Sequence, residues 1–152
     1  MRPVSRSGRL VAYAATGWGV DACFTALNTF RRTGRARRSS FWNVPVYALA
    51  QPLFEPVHDA LRDRAPAPVR AAIYGVGILG VEYAAGRALR RALGAAPWDY
   101  SYTRRSIDGL VRADFLPLWA AFGLGLERVH DALMRPATPS PAERLRAQPA
   151  PH

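Results

Sequence analysis

Glu55 and His58 stand three residues apart, and so do Glu127 and His130. That spacing puts each pair on one face of a helix, where both side chains can reach the same point. Added to Asp21 and Glu82, they make the residue inventory of a di-iron carboxylate bundle: one acid from each of two helices and Glu-x-x-His from each of two others. Such a set would hold iron, manganese or zinc. A second chemistry needs only the acids. Carboxylates set in apolar stretches are costly to keep there, and they carry protons, meet cationic substrates or pair with arginine and tyrosine to fix helix packing. The two chemistries make different demands on depth. If Arg9, Arg62 and Arg70 mark one boundary, Asp21 and Glu82 each lie twelve residues from it, about 18 Å along a helix, whereas Glu55 lies about 10 Å away. Four acids at two depths argue against one shared metal site.

The segments that must position these groups read as a duplication. Residues Glu55 to Leu61 recur as Glu127 to Leu133 with six identities in seven, each copy placed ten residues after a proline, Pro45 or Pro117. Arg9, Tyr13, Gly19, Val20 and Asp21 reappear at the same mutual spacing as Arg70, Tyr74, Gly80, Val81 and Glu82. The repeating unit is therefore two consecutive segments, about residues 9–61 and 70–133. Two crossings per unit give both copies the same orientation, related by an axis along the membrane normal. Such an axis sets Asp21 opposite Glu82 and Glu55 opposite Glu127, which together form a central polar site.

Hydropathy favours the bilayer. Residues 10–30 contain Asp21 as their only charge, long enough to cross at about 1.5 Å per residue. The other apolar runs, 41–54, 71–81 and 115–126, are shorter, and each reaches the required ~20 residues only by continuing through an inward-facing acid. Pro45, Pro52 and Pro56 would break a soluble helix and are tolerated where neighbouring helices supply hydrogen bonds. All 21 basic residues are arginine, with a net charge of +10. They collect at segment ends, where they meet lipid phosphates, rather than on one duplex-binding face, so nucleic acid is not the expected partner. Arginine counts of 10 and 11 on the two sides do not set an orientation. Cys23 is the only cysteine, which leaves no intrachain disulfide. Asp21 interrupts the first apolar stretch and argues against a signal peptide. The lack of a G-x-x-x-x-G-K-[ST] loop excludes an ATPase of that type.

Gly94 to Gly109 reads as a loop holding Pro97, Trp98, Asp99, Tyr100 and Ser101. Its aromatic residues serve as an interfacial anchor or as the rim of an entrance. With this run in place, the chain resembles the transmembrane protein 229 family and its bacterial relatives, the ABC-transporter type IV (CmpB-like) membrane family. The likeness covers about residues 13–130, including Phe24-Thr25-Ala26, Leu61-Arg62-Asp63-Arg64 with Pro66, Ile73-Tyr74, Glu82, Gly86, Gly109-Leu110 and Glu127. It implies a multi-pass, mostly four-helix membrane protein with cytoplasmic termini, and it implies no particular activity. Acids resembling Glu55, Glu82 and Glu127 belong to the family pattern. Asp21 stands where relatives carry glutamate, and His58 and His130 are not part of the pattern in the animal members.

The expectation is an all-α, four-helix transmembrane bundle of two tandem helical-hairpin repeats over residues 1–134, followed by a disordered Pro/Ala-rich tail at 135–152. It acts as a transporter-like or permease-like module in the lipid bilayer, as a homo-oligomer or beside a membrane partner subunit, without a cofactor. The alternatives are a metal-dependent helical-bundle enzyme using His58 and His130 with Glu55 and Glu127, and a structural subunit of a membrane complex. For the histidines themselves, the simplest expectation is that they end helices at the interface, complementing the carboxyl-terminal dipole.

Overall fold

Long apolar stretches punctuated by glycine and proline fold, in the computed structural model, into helices whose ends fall at that punctuation. The structure describes residues 4–135, so all of the expected tail except Arg135 lies outside the described residues. Helix α1 runs Arg6–Thr33, α2 Asn43–Ala48, α3 Ala50–Leu61, α4 Ala67–Leu93 and α5 Leu116–Met134. The Ser5 hydroxyl opens α1 by accepting the Gly8 N–H at 3.2 Å, a side-chain N-cap. Gly34 closes it with φ 71° and an N–H donated to the Phe30 carbonyl at 2.8 Å. Gly94, at φ 78°, follows α4 in the same left-handed conformation, which costs glycine little.

The second expected segment is broken into α2 and α3 at Leu49. Pro52 has no N–H to give the Ala48 carbonyl and its ring crowds that turn, which disfavours a continuous helix there, although Pro56 is accommodated inside α3. The fourth segment starts later than expected. Residues 106–115 form an antiparallel ribbon, β1 Ser106–Ile107 and β2 Val111–Arg112, followed by a 3-10 turn at Ala113–Phe115. Asp108 and Gly109 turn the ribbon at φ 54° and 69°, and the Leu110 N–H closes it on the Ile107 carbonyl at 2.9 Å. This is the Asp-Gly signature of a type I′ hairpin. The chain is thus mostly helical, with a small ribbon that an all-α expectation omits.

Helix α1 packs along α2 and α3, and α4 along α5. The second contact is close: a Cβ at Gly75 would stand 3.1 Å from the Ala120 backbone nitrogen, and one at Gly123 would run into the Tyr74 side chain. Small residues permit this approach. The two described ends meet, with the Val4 N–H donated to the Leu133 carbonyl at 3.2 Å.

The interior is unusually polar. Asp21, Asn43, Gln51, Glu55, His58, Arg70, Glu127 and His130 are buried, whereas Val11, Leu27, Ile73, Val76 and Leu118 are exposed along the helices. Water-soluble folds sort these residue types the other way. By length and hydropathy, however, α1 alone among the described residues qualifies as a membrane-crossing helix, and 22% of its most apolar stretch is buried. Four such spans were expected. In α4 and α5 the apolar run is cut by Glu82 and by Glu127-Arg128, and α3 is only 12 residues long.

Candidate functional site

The four acids sit in two layers. In the first, Arg9 on α1 grips Glu55 on α3 through two parallel bonds, Nε to Oε1 at 2.7 Å and Nη2 to Oε2 at 3.1 Å. Arg70 on α4 grips Glu127 on α5 through the same atoms, at 2.6 and 3.0 Å. Each carboxylate takes a further donor on Oε2, Gln51 Nε2 for Glu55 and Arg62 Nη1 for Glu127, both at 2.8 Å. Forked arginine–carboxylate pairs are the strong, directional form of this contact. Tyr74 donates to Glu127 Oε1 at 3.0 Å, and the Tyr13 hydroxyl lies 2.8 Å from His130 Nδ1.

His58 and His130 lie between these pairs with ring centroids 4.5 Å apart. His58 falls in the last turn of α3, and both rings are buried, at 3% and 6% exposure. Each imidazole is flanked by acids of the opposite helix. His130 has Glu55 beside Nδ1 and Asp59 beside Nε2, both at 3.7 Å. His58 has Glu127 beside Nδ1 at 4.0 Å and Asp131 beside Nε2 at 3.7 Å. The E-x-x-H-D sequence of α3 and that of α5 therefore interlock. The second use of Glu55 and Glu127, as metal ligands, conflicts with this arrangement, because arginine donors already occupy both oxygens of each.

The second layer lies eight residues beyond Tyr13 and Tyr74, about 12 Å along α1 and α4. There Asp21 accepts from the Ser39 hydroxyl and, at 2.9 Å, from Asn43 Nδ2. Glu82 Oε1 accepts from the Tyr100 hydroxyl at 3.3 Å. No arginine among the described residues pairs with either acid, and of the arginine or tyrosine partners considered for them only a tyrosine hydroxyl, that of Tyr100 on Glu82, is found. Both acids line a cavity of about 840 Å³ that reaches α1 to α5 and extends down to Phe54, Tyr74 and Leu126. Within it, Glu82 Oε2, Asn43 Oδ1 and Trp119 Nε1 are buried without a hydrogen-bond partner among the described residues. The layering separates Asp21 and Glu82 from the histidines, so the six residues of the di-iron pattern do not form one site.

The loop Pro97 to Ser101 closes the side of this cavity. Trp98 lies against Gly86 and donates its indole N–H to the Leu110 carbonyl at 2.8 Å. The Tyr100 backbone N–H is held by the Gly109 carbonyl at 2.8 Å, which sets the phenol over Glu82. Burial, with the Glu82 and Asp21 carboxylates nearby, raises the Tyr100 phenol well above its usual range, so it stays a donor. Asp99 accepts the Ser101 N–H at 2.8 Å, and the bonds from Ser101 hold its carboxyl below the usual range. Pro97, Trp98, Asp99 and Tyr100 all line the cavity.

Arg9, Arg70, Tyr13, Tyr74 and Gln51 were outside the site expected from sequence. Four of the five were nevertheless among the repeated positions, and that repetition was their signal. Gln51 had none.

A helical bundle with a polar interior, an apolar exterior and a cavity beside buried carboxylates is the architecture of a membrane-associated binding or transport protein. The chain belongs to the family described as "Putative ABC-transporter type IV", which matches residues 9–146. No solved structure matches it.

Proposed function

We propose that this protein is a multi-pass integral membrane protein, a transporter-like or permease-like module whose cavity takes a cationic substrate on Asp21 and Glu82. The observation that carries this reading is the set of three unpartnered polar atoms, Glu82 Oε2, Asn43 Oδ1 and Trp119 Nε1, in one cavity. Buried polar atoms without partners are rare and mark where a ligand or ordered water completes the hydrogen bonding. Aromatic side chains of Phe24, Tyr47 and Tyr100 stand around the same space and suit an organic cation. In this reading the four segments each cross the bilayer, with α2 and α3 together as one crossing, and both termini are cytoplasmic. The two hairpins arose by duplication, supported by the matching Arg9–Glu55 and Arg70–Glu127 forks. The resemblance to transmembrane protein 229 belongs to the same reading. Four crossings enclose little space, so the working unit is a homo-oligomer or a complex with a membrane partner.

Binding of the lipophilic cation tetraphenylphosphonium to purified protein in proteoliposomes tests the proposal. Losing one charge-assisted contact costs about 1.5–3 kcal/mol, so Glu82→Gln or Asp21→Asn should weaken binding by roughly ten- to a hundredfold. Unchanged binding and flux, with altered co-purifying proteins, would instead favour a structural subunit.

A further inference from the structure

We infer that His58, Asp59 and His130 form a binding site for a divalent first-row transition ion, zinc by preference, in the arginine–glutamate layer and apart from the cavity. One donor atom from each of the three lies within 4.8 Å of the others. Movements of about an ångström bring such atoms to the ~2 Å ligand distances of a tetrahedral zinc site.

The orientation of the rings carries the inference beyond proximity. In both histidines Nδ1 faces a buried glutamate and Nε2 faces an aspartate. A metal-bound imidazole ordinarily donates its other N–H to a carboxylate, which fixes the tautomer and makes the ligand more basic. Glu127, held by its arginine fork, is placed as the outer partner of His58 and the Tyr13 hydroxyl as that of His130, and neither glutamate is a ligand. His58 Nδ1 is buried without a hydrogen-bond partner, 4.0 Å from Glu127 Oε1. An ion on Nε2 sets the proton on Nδ1, directed at that oxygen. His130 Nδ1 then donates to the Tyr13 hydroxyl oxygen at 2.8 Å. Asp59 supplies the anionic ligand, and its side chain is 69% exposed, which leaves an entry path from solvent. Asp131 has Oδ2 on Arg62 and Oδ1 free beside His58 Nε2, a ready fourth donor. Two imidazoles and carboxylate oxygens suit zinc and cobalt(II) alike.

Tag-free protein in detergent, stripped with chelator, is titrated with cobalt(II) and followed by its ligand-field absorption, and zinc is quantified by elemental analysis. One ion per chain is expected, with zinc displacing cobalt. His58→Gln and His130→Gln should abolish the cobalt spectrum, and the exposed Asp59→Asn, which does not threaten folding, should weaken binding by roughly tenfold or more. Glu82→Gln and His152→Ala should bind as the parent does. Absence of stoichiometric cobalt, or binding unchanged in Asp59→Asn, overturns the site. Because Glu82→Gln separates the two layers, this outcome is independent of the cavity's role.

Discussion

At the scale of single residues, the buried arginine–glutamate forks decide the character of the interior. Removing one partner strands the other charge away from water, at a cost on the order of 3 kcal/mol, whereas replacing both by apolar groups is close to neutral. Arg9→Leu should therefore lower the melting temperature in detergent, and Arg9→Leu combined with Glu55→Leu should recover much of that loss. An additive double variant would contradict the pairing. Asp99 gives a pH test outside the helices. Its folded carboxyl titrates below its usual value, so its contribution is present above about pH 3.9, the unfolded value, and is lost as pH falls through the folded one. Asp99→Asn should remove that acid-side loss from the pH dependence of stability. The acids, the histidines and the repeated arginines were all visible in the sequence. Their pairing was not: the forks join Arg9 to Glu55 and Arg70 to Glu127 within each copy, whereas the histidine contacts cross between copies, His130 to Asp59 and His58 to Asp131.

At the scale of elements, glycine and proline set the boundaries. Gly123 admits Tyr74 between α4 and α5, and Gly125 faces open space. Gly123→Ala should cost about 1–3 kcal/mol by overpacking, and Gly125→Ala should be neutral or slightly stabilising because alanine is the better helix former. Thermal denaturation of the two variants side by side checks this, with equal effects ruling out the close crossing. The cap at Gly94 agrees with the reading of that glycine as the start of a loop. The break at Leu49 and the Asp108-Gly109 ribbon were missed although both have local signals, since Pro52 was read as tolerated and the dipeptide fell inside a stretch read only as loop and helix.

At the scale of the whole molecule, the adjacent Val4 and Leu133 put the two described ends on one face. Single cysteines introduced in a Cys23→Ser background at Ser40 and Ala96 should label from one side of a sealed vesicle, and one at Ala65 from the other. Labelling of all three from the same side would contradict the four-crossing topology. The sequence by itself determined the apolar segments, the acids within them and the residues that recur at matched spacing, because hydropathy, proline and residue spacing are local properties of a chain. Only the tertiary structure decided that the acids divide into an arginine-clamped layer with the histidines and a pair beside a cavity that no described arginine holds. That division depends on the relative depth and rotation of helices distant in sequence, which no single helix encodes.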